Sequence, residues 1–276
     1  MPVGSAGELR KLSIVVRYEL LKQVRRFRLH ALLLLGSLIT GVAVAIGLGY
    51  IPISAGALYF SSEIIGAGEV TLFGLVAGVF FSGDAIASEF EHKTGYVIFL
   101  NPIKRTTLLM GKYLSCCIAS MLVVTMPYLI TAVGVIIRFG TFPGQVLLSY
   151  LFALLFVCSV VSFTFVFSAL LKGSMGASIV PFLTYFFLFA IIQALSMFVG
   201  FEPFMILSYG SGIVNSILID PYPAHSGTML LPISGGPPLQ FTVYSATVVE
   251  GIAIMASYLV AGLILSALLM RRRQMA

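Results

Sequence analysis

Charge is scarce in this sequence. Only 9% of its 276 residues are Asp, Glu, Lys or Arg, while 59% are hydrophobic and the mean hydropathy is +1.07. A water-soluble domain is excluded, because its surface would carry too few charged groups to stay in solution. Cysteine is nearly missing too. Cys116, Cys117 and Cys158 fall inside apolar runs with no pairing or metal-binding spacing, and they read as small packing residues. No Walker A phosphate loop is present: Gly111-Lys112 lacks both the upstream glycine and the Ser or Thr that must follow the lysine. Nucleotide binding through such a loop is therefore excluded. HExxH and GxSxG are absent, and His30, His92 and His225 are scattered, so no metal ligand set, catalytic residue or cofactor site is expected in the chain. No secretory signal peptide is expected, because the first apolar run follows a long basic segment and is too long for a signal's apolar core.

What remains is a polytopic membrane protein of the all-α class. Apolar runs of about 20 residues are long enough to cross a hydrocarbon core of roughly 30 Å as helices. A β-barrel would show short alternating segments, whereas these runs are continuous. Six spans are predicted near residues 29–50, 68–88, 113–138, 145–171, 175–199 and 246–270. They form a membrane domain over 29–276, preceded by a helix within 1–28. Spans three to six hold no acid or base in their central thirds. An ion-coupled carrier keeps such a group there, so the chain lacks an obvious energy source of its own.

The basic residues predict an orientation. Of the 16 Lys and Arg, all but Arg138 fall on one side of the predicted spans. The positive-inside rule makes that side cytoplasmic, with both termini inside a cell membrane. Topology thus accounts for the net charge of +6, and no nucleic-acid partner is needed to explain it.

Residues 8–28 predict an amphipathic helix. Leu9, Leu12, Val16, Leu20, Val24 and Phe27 share one face, and Lys11, Arg17, Lys22, Arg25 and Arg28 crowd the other. Such a helix lies at the membrane surface, with lipid as its partner. The long segment 200–245 is rich in Pro and Gly, yet Phe204–Ile219 is too apolar for a free loop; short helices on the outer face are expected before the last span. Pro127 and Pro181 invite kinks in spans three and five, and Gly74-Gly78 is a close-packing pattern in span two. Phe73, Phe80, Tyr185 and Phe189 are candidate wall residues of a path for an apolar or amphipathic cargo.

One internal segment gathers much of the charge. Residues 82–112 carry Asp84, Glu89, Glu91, His92, Lys93, Lys104, Arg105 and Lys112 between two strongly apolar runs. A short helix is predicted over Ala85–Thr94, supported by an i,i+4 pair of Glu89 with Lys93 and ended by Gly95. The sequence Ala87-Ser-Glu-Phe-Glu-His-Lys-Thr-Gly95, then Leu100-Asn-Pro-Ile-Lys-Arg105, then Gly111-Lys-Tyr113 resembles the permease subunits of type-two ATP-binding-cassette (ABC) exporters. Ile103 separates Pro102 from the basic pair, a small departure from that pattern. The resemblance is specific over this segment, and the layout of spans extends it along nearly the whole chain.

The resemblance implies a permease that pairs with a second copy or a close paralogue. It also implies separate ATPase subunits, which hold the ATP and Mg. Glu89, Glu91, Lys93, Thr94, Pro102 and Arg105, within a loop over 89–112, are then the residues that couple to the ATPase, and spans two and five line a path at the dimer interface. Two other readings stand beside this one: a non-transporting anchor or sensor that recruits a soluble ATPase, and an intramembrane enzyme.

Overall fold

A computed structural model describes residues 5–67, 70–91, 105–231 and 239–272. Six helices are long and apolar enough to cross a membrane: Phe27–Tyr50, Val70–Glu89, Thr106–Phe139, Gly144–Leu170, Ser174–Val199 and Val248–Met270. They follow the predicted spans closely, except that the third begins at Thr106 rather than near 113. The reason is that the charged residues before 113 continue the helix, with Lys112 buried inside the bundle rather than left in a loop.

The chain opens with helix α1 (Ser5–Arg25), which breaks at Arg26, where the backbone is extended, and restarts as α2 (Phe27–Tyr50). A helix α3 (Gly56–Ala67) follows in what the sequence suggested was only a connection. Its Phe60 and Ile64 pack on Val44 and Val135. Gly47 makes room for them, since a Cβ there would lie 2.8 Å from Ile64 and 2.9 Å from Phe60. The second span is built from α4 (Val70–Ser82) and α5 (Asp84–Glu91), separated at Gly83. Helices α6 (Arg105–Phe139) and α7 (Gly144–Leu170) form spans three and four. Helix α8 (Ser174–Val199) is span five. It contains a π-helical turn over Thr184–Phe189, just after Pro181. Proline supplies no N–H to the helical ladder, and the register is readjusted by the wider turn. The last span is α11 (Val248–Arg272).

Helix α7 is the central post. It packs against α4, α6, α8 and α11. Apolar side chains gain little from leaving lipid for protein, so helices associate through close backbone approach and interhelical hydrogen bonds. Both devices are present. A Cβ on Gly78 would lie 2.7 Å from Val160, and one on Gly74 would lie 3.1 Å from Val157, so the glycine pair of span two is a contact with α7. On the other side, Ser159 and Ser162 donate to the backbone carbonyls of Met255 and Leu259, each at 2.7 Å. A Cβ on Gly262 would lie 2.7 Å from the Ser162 carbonyl oxygen.

Arg138 is the one cation predicted on the side away from the basic segments, and it has a structural task. Its guanidinium donates to the carbonyls of Leu48 (2.7 Å) and Ile51 (2.8 Å) at the end of α2. Those carbonyls lack helical partners, and a cation also complements the negative end of the helix dipole. Arg138→Ala is expected to cost about 2 kcal/mol. This would appear as a lower thermal-unfolding midpoint in detergent, with part of the loss recovered by Arg138→Lys.

Between spans five and six lie short helices α9 (Leu207–Ser211) and α10 (Ile213–Ser216), as expected. Leu207, Tyr209, Ile213 and Val214 are buried, and Ser149 of α7 donates to the Val214 carbonyl at 2.6 Å. A β-hairpin follows, which the sequence reading did not anticipate. Strands β1 (Ser226–Leu231) and β2 (Leu239–Tyr244) pair antiparallel, with Ser226 opposite Tyr244 and Leu231 opposite Leu239. The hairpin rests on the end of α8: the Tyr244 hydroxyl donates to the Gly200 carbonyl at 2.7 Å, and the Phe198 and Phe241 rings meet edge-on at 4.9 Å.

Candidate functional site

The strongest concentration of buried charge lies at the basic end of the bundle, around α5. This helix is short and polar, and its neighbours hold it in place. The backbone amides of Ile86 and Ala87 in its first turn both donate to the Ser168 hydroxyl at the end of α7, each at 3.1 Å. Asp84 sits at its N-terminus, where a carboxylate complements the helix dipole. Arg26 reaches that carboxylate at 2.6 Å and Arg28 at 3.4 Å, both from the α1–α2 break. At the far end Glu91 accepts a hydrogen bond from the backbone N–H of Ser174 at 2.8 Å, so its carboxylate caps the start of α8.

The centre of the site is Lys112. It is 1% exposed, yet it is charged on its chemistry and carries two carboxylate partners. Its Nζ lies 2.6 Å from Glu19 of α1 and 2.8 Å from Glu89 of α5. Glu89 is itself buried, at 8% exposure. A buried cation is tolerated only when paired and hydrogen-bonded in this way. The triad joins three elements that are far apart in sequence. Gln23 adds a fourth tie: its side-chain amide donates to the Phe81 carbonyl at 3.2 Å, and that carbonyl also accepts from the Cys116 thiol at 3.1 Å. At the start of α1, Glu8 accepts from the Thr107 hydroxyl at 3.0 Å.

The arc of α1 packed on α6 contains Glu8, Leu12, Val15, Glu19 and Gln23, while Leu9 and Val24 of the expected apolar face are exposed. Gly111 allows the close approach, because Val15 occupies the space of a missing side chain; a Cβ there would lie 2.9 Å from the Val15 Cβ. Polar pairing and a close approach over glycine fix the side of this helix that meets the bundle.

No family model and no curated protein matches this chain. Its site is therefore read from its own residues. Of the expected coupling residues, Glu89 is buried in the triad and Glu91 is exposed on the surface of α5 while capping α8. Arg105 opens α6. Lys93, Thr94 and Pro102 lie outside the described residues, and the expected Glu89–Lys93 pair with them; among the described residues the Glu89 carboxylate meets Lys112. Sequence reasoning did not single out Glu19, Gln23 or Ser168. The signal for Glu19 was visible: it is an acid amid the basic residues of α1, one helical turn from Val15 and Gln23.

The four expected path residues do not line one cavity within a single chain. Phe73 is buried near Gly36, with a virtual Cβ distance of 3.8 Å. Phe80 is exposed and lines a cavity of about 530 Å³ at the basic end, together with Phe27, Arg28, Asp84, Met175 and Ser178. Tyr185 and Phe189 belong to a third place. Their rings are 5.7 Å apart and join Phe156, Phe163 and Tyr258 in an aromatic cluster among α7, α8 and α11. The Tyr185 hydroxyl pairs with Ser211 at 3.0 Å.

Chemically, the basic end is a set of ion pairs and helix caps joining α1, α5, α6, α7 and α8. Glu19, Asp84, Glu89, Glu91 and Lys112 each meet an opposite charge or a helix terminus.

Proposed function

We propose that this chain is the membrane-spanning permease subunit of an ABC exporter, driven by separate ATPase subunits that act on the segment around α5. The observation that carries the reading is the mechanical position of α5. It is bonded at once to the end of α7 through Ser168, to the start of α8 through Glu91, and to α6 and α1 through Glu89 and Lys112. A soluble partner pushing on this helix moves four other helices with it. The sequence pattern over 87–113 supports the same reading, and so does the absence of a Walker A loop from the chain.

On this reading the basic end is cytoplasmic, by the positive-inside rule. Arg10, Arg17, Leu9 and Tyr18, which are exposed, meet lipid headgroups and acyl boundary. ATP and Mg belong to the partner. A second copy supplies the other half of the path, which brings the separated aromatic groups of spans two and five into use between subunits.

Glu91 and Arg105 flank the part of the segment that faces the partner. The double charge reversal Glu91→Lys/Arg105→Glu is expected to leave the chain monodisperse in size-exclusion chromatography. It is also expected to abolish stimulation of ATPase activity in the complex assembled with a Walker A ATPase that co-purifies with the chain. Stimulation at the parent level in a folded variant would sink the coupling role. Co-purification with the ATPase but no cargo movement in reconstituted vesicles would favour the recruiting anchor.

A further inference from the structure

The end of the bundle away from the basic segments holds a second cluster, which does not depend on the transporter reading. Glu202 follows α8, His225 precedes β1, and Glu250 lies in the first turn of α11. Each offers one donor atom, and the three atoms lie within 4.8 Å of one another. From residue 173 to 270 the chain has no Lys or Arg. The two carboxylates therefore converge with no permanent cation from this stretch of chain to offset them.

His225 is oriented by its surroundings. Its Nδ1 lies 3.1 Å from the Ser245 carbonyl. A carbonyl only accepts, so Nδ1 donates there and Nε2 is the nitrogen left to meet a metal. The backbone repeats the tie, with the Ser245 N–H donating to the His225 carbonyl at 2.9 Å. Fixing a histidine through a backbone carbonyl at its second nitrogen is the usual support for a metal ligand. Nε2 faces Glu202 Oε1 at 3.3 Å. A charge-assisted N–H···O bond closes to roughly 2.7–2.9 Å, whereas two donors bound to one tetrahedral zinc at about 2.0–2.1 Å lie about 3.3–3.4 Å apart. Glu202 is oriented in turn by the Tyr209 hydroxyl, which donates to it at 2.7 Å. Glu250 Oε2 accepts from the Thr247 N–H at 2.9 Å and lies 3.8 Å from His225 Nδ1, and its carboxylate brings a donor atom within 4.8 Å of those of the other two residues.

We infer that Glu202, His225 and Glu250 bind one divalent transition-metal ion of the zinc class, with solvent completing its coordination. Mixed imidazole and carboxylate donors suit such ions. The ion ties the base of the hairpin to the ends of spans five and six, three segments otherwise joined there by few contacts of charge.

The test uses the full chain in detergent, stripped of metal and titrated with ZnCl₂ or CoCl₂. One ion per chain is expected by calorimetry. Co²⁺ should give visible d–d bands without thiolate charge-transfer bands, which separates this site from the cysteines. His225→Gln and Glu202→Gln should each weaken binding by at least about tenfold, and Zn²⁺ should raise the thermal midpoint of the parent but not of these variants. Glu63→Gln, an exposed acid outside the cluster, should bind as the parent does. A parent chain that takes up neither ion saturably overturns the assignment, even if the cluster responds to pH alone. Binding that persists unchanged in the His225→Gln/Glu202→Gln double variant overturns it too.

Discussion

Replacing Lys112 by alanine is expected to destabilise the chain by about 3–5 kcal/mol. The Nζ group stands between Glu19 and Glu89 at 2.6 and 2.8 Å, in a setting where Lys112 is 1% exposed. Removing it leaves two carboxylates facing each other, with only the exposed Lys22, 3.9 Å from Glu19, to offset them. The cost comes from those orphaned charges, not from the lost packing of four methylenes, and this distinction can be measured. The triple variant Glu19→Gln/Glu89→Gln/Lys112→Met removes all three charges at nearly constant volume. Buried ion pairs replaced whole by groups of similar shape are often neutral in stability. The triple variant should therefore recover at least half of the loss caused by Lys112→Ala. Thermal midpoints and the monodisperse fraction in detergent report both. A Lys112→Ala chain with the parent's midpoint would show that the triad is not formed. A triple variant as weak as the single one would assign the cost to packing instead.

The triad also marks where sequence reading stops. The six spans were legible because crossing a membrane depends on the length and apolarity of one contiguous run, which needs no tertiary information. Gly74 and Gly78 were legible as a packing pattern for the same local reason. The polar side by which α1 meets the bundle was not. It is set by Gly111, Lys112 and Phe81, which lie some 60 to 100 positions along the chain from their α1 partners. The pairing of Glu89 with Lys112 was not legible either, because the third span brings that cation to it. The hairpin was hidden by a Pro- and Gly-rich context, although Gln240-Phe241-Thr242-Val243-Tyr244 alternates with the period of a strand. Glu202, His225 and Glu250 stand at separations no short motif covers, and only the hairpin and the return of the chain into α11 bring them together. The aromatic path residues occupy three separate places in one chain, because a ring's apolarity says nothing about which side of a helix will face a neighbour.

Gly83→Val is the second substitution expected to act strongly, and it tests the link between α5 and the start of α8. A glycine in a helical setting is normally a weakness, and alanine is favoured over it by roughly 0.5–1 kcal/mol. At Gly41 and Gly49 in α2 nothing lies within 4 Å of a virtual Cβ, so Gly41→Ala and Gly49→Ala should leave stability unchanged or slightly raised. Gly83 is different. A Cβ there would lie 2.7 Å from the Cα of Ser178. The opposing atom is backbone, which cannot swing aside as a side-chain tip would, so the helices themselves must separate. Overpacking of this kind costs about 1–3 kcal/mol, and valine's two further methyl groups place Gly83→Val at the upper end. The loss should be local before it is global. Opening the α5–α8 contact pulls Ser174 from Glu91, so hydrogen exchange of the amides at residues 174–178 should quicken well before the midpoint of the whole bundle falls. If those amides keep the parent's protection in Gly83→Val, the close approach is not made. If they lose it while ATPase stimulation in the assembled complex is untouched, displacement of α5 does not travel through α8, and the α6–Lys112 route must carry it alone.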